Sequence, residues 1–419
     1  MATADDVTVE RMLLERELPA ARVATLLPVA RGLYEKLLTA EPGITITTFH
    51  SWFLQLTRRA PLDAGVPGDA SLSEETAVLI DEAWQRFASA VEGDTAQALD
   101  TLYMHYGPDS TRRTLTNFLQ RRGDWWAYVA DAGSDEAAIA RSLEALRAGM
   151  PVAPDADVAR MLFDDAALQG QLIEFEKLLA KNVVRDQELA GMLRAAQGEP
   201  HAARWLRQVQ PAFLTTNGEL RKRKASAAQA KRLGAQGEAR YLDIHESVGQ
   251  RVLDALSAIA WQHGYRFNAA ALVCGTMFTQ TYQALKRERR VIDYTDIEWC
   301  AHQLLCDSEY AVYLMCKLDA RYRQVLLDEF QDTNPLQWLT LRQWFESAAE
   351  VDSRPSVFLV GDPKQSIYRF RRAEARLFTQ AAEYLRTHFG AELLSQDISR
   401  RCAPAVLRSE EHTSELQSH

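Results

Sequence analysis

Two adjacent carboxylates follow an apolar stretch in VLLDEFQDTNP, residues 325–335. In open α/β sheets ligands bind beyond the carboxyl ends of parallel strands, which is where Asp328 and Glu329 fall. One such carboxylate can hold Mg²⁺ while its neighbour orients or deprotonates an attacking water, as phosphoryl transfer requires. A helix start is the alternative, because Asn334 and Pro335 make a good N-cap and first turn, and upstream acids suit the helix dipole. The dipeptide alone leaves both interpretations open.

A further candidate segment, VFLVGDPKQSIYRFRRAE at 357–374, begins with another apolar run. Its turn, 361–363, is expected to expose Gln365 at a strand tip close to Asp328. Polar groups from two neighbouring strands would then meet at one edge of a sheet.

Aromatic and basic residues alternate in the rest of this segment: Tyr368, Arg369, Phe370, Arg371 and Arg372. Such interleaving lets nucleic-acid bases stack on rings while arginines neutralise backbone phosphates. Core aromatics beside a solvated basic face are the alternative. That alternative explains any one of these residues better than it explains the whole string.

The elements that must position these residues are mostly helical. Apolar residues at three- and four-residue spacing predict helices in the segments 24–40, 73–91 and 241–265. Brief apolar runs predict buried parallel strands in the segments 43–49, 323–330 and 356–362, with 391–398 as a fourth candidate. The long helical stretch between the first two of these strands is too long for one crossover connection. The sequence therefore predicts an α/β domain with a large all-helical insertion.

Composition sets broad limits on function. The net charge of −9 argues against a protein coated in positive charge. The basic run 221–232 predicts a phosphate-tracking segment or, alternatively, a solvated helix face or mobile loop. Five cysteines without C-x-x-C spacing argue against a zinc site or a disulfide framework. The acidic amino end has no signal-peptide core, and no apolar run reaches membrane-spanning length, so a cytoplasmic protein without a membrane partner is expected.

Several strings resemble one known family. LLDEFQDTNPLQ and VGDPKQSIYRFRRAEARLF resemble motifs II and III of superfamily 1 DNA helicases of the UvrD type, and the Pro-Lys variant in the latter string is more similar to the RecB and AddA helicase-nuclease branch. TITTFHSW (45–52) is similar to the family's Thr-Phe-His motif, and KRERRVIDYTDI (286–297) to the segment before its Walker B strand. The resemblance implies a P-loop NTPase, with a RecA-like parallel sheet that is incomplete in this chain.

The resemblance also implies roles around a nucleotide. Asp328 would bind Mg²⁺, and Glu329 would be the catalytic base for ATP hydrolysis. Gln331 and Asp332 would couple the nucleotide to moving domains, and Gln365 would sense the γ-phosphate. The implied cofactors are ATP and Mg²⁺.

A path for single-stranded DNA is implied as well. Tyr368 and Phe370 would stack on bases, with Phe49 and His50 lining the same path, and Arg371 would link DNA to the nucleotide site. Stacking tolerates any base, as a motor that passes along DNA requires.

Two further positions bear on the resemblance. SRRCAPAVL (399–407) resembles motif IV in a variant form, with Arg401 in the place of a phosphate-contacting arginine. Arg372 departs from the family pattern, because a small Gly is usual there.

The implied activity is that of an ATP-dependent DNA helicase or translocase, moving 3′ to 5′, in double-strand break repair and recombination. Its partners would be single-stranded DNA, duplex junctions and another subunit of a helicase-nuclease complex.

The Gly-rich loop G-x-x-x-x-G-K-[ST] that cradles ATP phosphates is absent, since no Gly in the chain is followed by Lys. We therefore expect a middle piece of a longer protein, with a partial first motor domain at 1–60, a helical insertion at 61–285 and the remainder of that domain at 286–407. The string RSEEHTSELQSH (408–419) looks like a translated sequencing adapter and is expected to be an assembly artefact. The alternative to an active helicase is that this chain is an inactive or DNA-binding remnant without ATPase.

Overall fold

A computed structural model gives the architecture of the protein. It describes residues 3–15, 18–41, 43–58, 70–306, 311, 313–314, 316, 318, 322–350, 354–366, 374 and 376–395. The chain divides into two compact units, one from Met1–Glu74 and Arg290–His419 and the other from Glu75–Arg289.

The helices and strands of the two units follow one another along the chain in this order: α1 Asp6–Leu14, α2 Ala20–Thr39, α3 Phe49–Thr57, β1 Ser71–Leu72, α4 Thr76–Ala90, α5 Gly93–Tyr106, α6 Pro108–Gln120, α7 Arg122–Ala132, α8 Asp135–Ala148, α9 Val158–Phe163, α10 Ala166–Ala180, α11 Val184–Ala196, α12 Ala202–Phe213, α13 Ala227–Leu233, α14 Ala235–Arg289, β2 Val291–Ile292, α15 Tyr294–Cys306, β3 Gln324–Leu327, α16 Pro335–Glu350, β4 Ser356–Leu359 and α17 Arg376–Phe389.

Small parallel sheets lie in the first unit. β1 pairs with β2, and β3 pairs with β4 in a register that sets Gln324 beside Ser356 and Leu327 beside Leu359. The sequence-predicted strands at 323–330 and 356–362 therefore exist and are parallel neighbours, although each is only four residues long. The described chain is mostly helical with small parallel sheets.

The predicted strand at 43–49 is wrong. Residues 43–48 belong to neither described sheet, Ile46 is 95% exposed, and α3 already begins at Phe49. A strand needs a paired neighbour for its backbone groups, and β-branched composition alone does not supply one. The fourth candidate also fails where it is described, since residues 391–395 have no strand assignment and Leu393 and Leu394 are 77% exposed.

One hydrophobic core joins α3, α15, α16, α17, β3 and β4 of the first unit, whereas α1 and α2 pack together in a separate cluster. α3 contributes Trp52 and Phe53, and the ring of Trp52 meets Trp344 of α16 with 5.9 Å between the centroids of the two tryptophans. Apolar residues of α15, the strands and α17 complete this core. The core thus fixes α3, α15 and α16 around the carboxyl ends of β3 and β4.

The second unit is built on α14, a helix of 55 residues, which at 1.5 Å per residue is about 80 Å long. α4, α5, α6, α8, α10, α12 and α13 pack against it. Near its start, His245 is buried beside the rings of Phe175 and Phe213, which stack on each other. The predicted helices at 73–91 and 241–265 correspond to α4 and to part of α14, and the one at 24–40 corresponds to α2 of the first unit.

Candidate functional site

The carboxylate pair lies where β3 ends. The carbonyl of Leu327 accepts a hydrogen bond from the backbone N–H of Val360 at 2.8 Å, and the N–H of Phe330 donates to the Val360 carbonyl at 3.0 Å. Asp328 and Glu329, between these two bonds, are exposed. Backbone pairing on both sides thus holds the pair at the edge of the sheet and leaves its side chains open to solvent.

Glu329 adopts an unusual backbone conformation, with φ of 50° in the left-handed region. For a residue with a Cβ that conformation costs roughly 1 kcal/mol, and such strain occurs often at functional sites. The short 3-10 turn Phe330–Asp332 follows immediately. The left-handed residue is therefore what redirects the chain from β3 into this turn.

Gln331 joins the ends of the two strands. Its side chain is buried, its Nε2 donates to Oε2 of Glu329 at 2.5 Å, and its Oε1 accepts from the backbone N–H of Asp362 at 3.0 Å. Its carbonyl accepts from the Ser366 hydroxyl at 3.2 Å. A Cβ at Gly361 would lie 2.6 Å from Gln331 Oε1, so this approach requires glycine.

Gln365 lies in the short turn Pro363–Gln365 that follows β4. Asp362 organises this turn: its carboxylate accepts from the Lys364 N–H at 2.9 Å and from the Gln365 side-chain amide at 3.0 Å. Gln365 is exposed. Because β3 and β4 are parallel, this turn and the carboxylate pair lie at the same edge of the sheet.

Asp332 has a buried carboxylate oxygen, Oδ1, that lacks a hydrogen-bond partner among the described residues. Burial together with the charge of Glu329 raises the pKa of Asp332. Exposed carboxylate oxygens such as those of Asp328 and Glu329 are ligands that suit a hard cation. No group of three or more His, Cys, Asp or Glu in the described chain forms a metal cage, and Mg²⁺ usually takes one or two carboxylates plus waters and phosphate oxygens. The residues present fit that mode.

The end of VLLDEFQDTNP starts a helix, as one of the two alternatives predicts. Asn334 caps α16, accepting from the Gln337 N–H at 2.9 Å, while its own N–H donates to the Gln337 side-chain oxygen at 3.3 Å. The predicted helix start is thus confirmed at Asn334. Asp328 and Glu329 take no part in this cap, so the cap does not account for the pair.

Phe49 and His50 open α3, which Thr48 caps by accepting from the Ser51 N–H at 3.3 Å. Phe49 is half-buried against Phe53, with 6.0 Å between ring centroids. The His50 side chain is 39% exposed, and its Nε2 lies 2.9 Å from Oε1 of Glu298. Of the two, His50 is the one that presents a polar group partly to solvent.

Glu298 is the residue that sequence reasoning missed. It is fully buried on α15, and its Oε1 also accepts from the side-chain amides of Asn334 at 2.9 Å and Gln337 at 2.7 Å. The available signal was its spacing: Glu298 shares a helix face with the buried Ala301 and Leu305. An acid on an apolar stripe indicates a buried, paired carboxylate.

The remaining predicted residues, Tyr368, Phe370, Arg371 and Arg401, lie outside the described residues. The basic run 221–232 lies among the described residues, and two of its arginines contact other segments of the second unit. Arg223 forms an ion pair with Asp186 at 2.9 Å with both side chains largely buried, and Arg232 donates to Asn182 at 2.8 Å. These two arginines stabilise the fold, and burial lowers the pKa of Arg223.

Comparison with known proteins decides the family. The model of the UvrD/REP helicase N-terminal domain matches residues 20–385. The chain belongs to this family. The UvrD/REP match spans both compact units and includes the carboxylate pair, Gln331, Gln365, Phe49 and His50.

Curated relatives match a shorter segment. The chain is 42% identical over 101 residues to the A subunit of an ATP-dependent helicase/nuclease from Desulfitobacterium hafniense, which covers 24% of this chain and 7% of that protein. It is 43% identical over 117 residues to the protein of the same name from Lysinibacillus sphaericus, covering 27% and 9%. The matched segment thus spans less than a tenth of each relative. Among the described residues, no helix is long and apolar enough to cross a membrane.

Proposed function

We propose that the chain is part of an ATP-dependent DNA helicase or translocase, which couples ATP hydrolysis to movement on single-stranded DNA. The observation that carries the proposal is Gln331, whose side chain links the Glu329 carboxylate to the backbone after β4. A residue so placed transmits a change at one strand end to the other. Membership of the UvrD/REP helicase family and the names of the relatives support this function.

The proposal assigns each residue a task at the nucleotide. Asp328 holds Mg²⁺, which when bound neutralises charge on the phosphates. Glu329 accepts a proton from the attacking water, Gln331 and Asp332 relay the state of the nucleotide to neighbouring segments, and Gln365 contacts the γ-phosphate. The exposed carboxylates and the exposed Gln365 amide at one sheet edge support this assignment.

DNA would follow a path that begins at α3. We assign Phe49 and His50 to it, together with Tyr368, Phe370 and Arg371 beyond the described residues. Arg401 would contact phosphate at the nucleotide. The partly exposed ring of His50 supports its place in this path.

The division of the chain into two compact units supports a P-loop motor domain that carries a helical insertion. We propose that residues 1–60 and 286–407 belong to a RecA-like motor domain and that 61–285 are its helical insertion. The relatives' name, which marks each as one subunit of a helicase/nuclease, supports a further subunit in the role of partner. We extend the proposal to 3′-to-5′ movement and to repair of double-strand breaks.

The 419 residues themselves contain no Gly followed by Lys. Without the lysine and the amides of a phosphate-binding loop, the β- and γ-phosphates lack their main electrostatic partners. The other part of the proposal is therefore that this chain binds single-stranded DNA without hydrolysing ATP.

A test in the whole protein targets the carboxylates. Glu329→Gln and Asp328→Asn should each lower DNA-stimulated ATP hydrolysis by a factor of about 100 or more, since general-base catalysis alone contributes that much. Glu346→Gln, which removes an exposed carboxylate paired with Arg342 on α16, is the matched control and should retain activity. Wild-type ATP turnover in Glu329→Gln would show that Glu329 is not the catalytic base.

A further inference from the structure

Three side chains converge on a single oxygen of Glu298. Gln337 Nε2 lies 2.7 Å from Oε1, and Asn334 Nδ2 and His50 Nε2 lie 2.9 Å from it. Asn334 and Gln337 open α16, directly after the turn that follows the carboxylate pair, whereas His50 opens α3. One buried carboxylate therefore contacts both the Thr-Phe-His segment and the segment that follows Glu329.

The two amides are held in one orientation by two sets of contacts. Their oxygens are used in the reciprocal cap of α16, and their nitrogens donate to Glu298. A flipped amide would lose both contacts at once and set a nitrogen against a backbone N–H. A buried carboxylate is costly unless hydrogen-bonded, so Glu298 needs these donors as much as they need it.

His50 differs from the two amides because its side chain remains partly exposed. Its ring also packs against Tyr294, with 4.6 Å between centroids, and Tyr294 in turn donates its hydroxyl to Glu74 at 2.8 Å. A carboxylate only accepts hydrogen bonds, so Nε2 of His50 must carry the hydrogen. Nδ1 is then the ring nitrogen that remains for a ligand.

We infer that Glu298 is a positioning residue that fixes the His50 ring and the start of α16 against each other, so that DNA contact at His50 is passed to the segment 328–334. This inference rests on the proposed function, which places His50 on the DNA path. A shift of the imidazole changes the contacts of Oε1, and Asn334 shares that oxygen. Oε1 of Glu298 is thus an acceptor that the His50 ring and the start of α16 share.

DNA binding by the 419-residue chain tests the inference, with the fluorescence anisotropy of a labelled dT oligomer as the readout. Glu298→Gln and His50→Ala should each weaken binding about 3- to 10-fold, as expected when one well-placed contact is lost. The double variant should bind no more weakly than His50→Ala alone, because Glu298 acts through His50. Asp296→Asn, on the same helix, alters a contact to the Asp293 N–H instead and should leave affinity unchanged.

Nitrogen-15 NMR of the histidine side chains gives a readout of the free protein, without DNA. In the wild type, His50 should show a protonated Nε2, and Glu298→Gln should shift the ring toward a mixture of tautomers. If Glu298→Gln does not fold, as judged by circular dichroism, Glu298→Asp is the replacement variant, because it keeps the charge but withdraws the oxygen from His50.

The outcomes separate the two proposals. Additive losses in the double variant, or wild-type affinity in folded Glu298→Gln while His50→Ala is impaired, would overturn the inference. Unchanged DNA affinity in His50→Ala would show that His50 does not contact DNA. The proposed function would then lose this residue, and the inferred transmission from DNA through His50 would be wrong. Unchanged His50 nitrogen shifts in Glu298→Gln would overturn the positioning role itself.

Discussion

The side-chain amide of Gln331 donates to the carboxylate of Glu329 at 2.5 Å. The buried Gln331 side chain, which is only 2% exposed, thereby orients the exposed carboxylate of Glu329. Gln331 is itself held in place because its Oε1 accepts from the Asp362 N–H. A carboxylate held on one oxygen keeps the other for a water or a metal-bound ligand. Gln331 thus holds the Glu329 carboxylate in one orientation, which the proposed role of Glu329 as catalytic base requires.

Replacing Gln331 should destabilise the first unit. Gln331→Ala leaves the Asp362 N–H without its acceptor and opens a small cavity, which together cost about 1–3 kcal/mol. Urea unfolding followed by tryptophan fluorescence measures the loss. Gln365→Ala is the matched control, since the exposed Gln365 side chain contacts its own turn, and equal stability of the two variants would contradict the bridging role.

Gly361→Ala should also destabilise the first unit, here because of a steric clash. The new Cβ would lie 2.6 Å from Gln331 Oε1 and 3.1 Å from a ring carbon of Phe378, so one of them must move. Overpacking of this kind costs about 1–3 kcal/mol.

Gly32→Ala is the control for this methyl group. Gly32 lies inside α2, and its Cβ would have nothing within 4 Å, so the change should stabilise by roughly 0.5–1 kcal/mol through helix propensity. The two glycine variants are therefore expected to differ in sign, as thermal unfolding can show. A stabilising Gly361→Ala would mean that the close approach to Gln331 is wrong.

Stability should fall in mild acid because of His245. Burial, and then the positive charges of Arg223 and Arg221, lower the pKa of His245 to about 4. The unfolded chain takes up the proton near pH 6.5 and the folded chain only near pH 4, so stability decreases as pH falls between these values, by up to about 3 kcal/mol.

Urea unfolding at several pH values checks this effect in the second unit. His245→Gln cannot take up the proton and should show a weaker dependence on pH. His201→Gln, which replaces a histidine with a side chain 68% exposed, should retain the dependence of the wild type. A slope in His245→Gln as steep as in the wild type would assign the acid sensitivity to other groups.

An exposed apolar pair on β3 and β4 should promote self-association. Leu326 and Phe358 are register partners, 72% and 56% exposed, on the solvent face of the sheet. Leu326→Thr with Phe358→Thr should lower concentration-dependent association in light scattering, because contiguous apolar surface drives it. Met104→Thr, which removes a single exposed apolar side chain of α5, is the control. Unaltered association of the double variant would exclude this face as its cause.

Two strands and a helix cap around the candidate site could be predicted from the sequence, whereas the extent of the sheet could not. β3, β4 and the cap at Asn334 followed from apolar runs and local turn chemistry. The segment 43–49 failed because strand formation depends on a pairing partner that local composition does not reveal. Glu298 escaped notice because its role depends on donors from two distant segments, and Gln331 was expected to couple segments only through the family resemblance.

The strictest test measures single-stranded DNA binding and ATP hydrolysis together on the 419-residue chain. We expect saturable binding of a dT oligomer that weakens about tenfold or more between about 50 and 200 mM salt, as phosphate contacts require, with no ATP turnover above background. Absence of DNA binding would contradict the proposed DNA path. DNA-stimulated ATP turnover would contradict the requirement for a lysine loop that these residues do not contain.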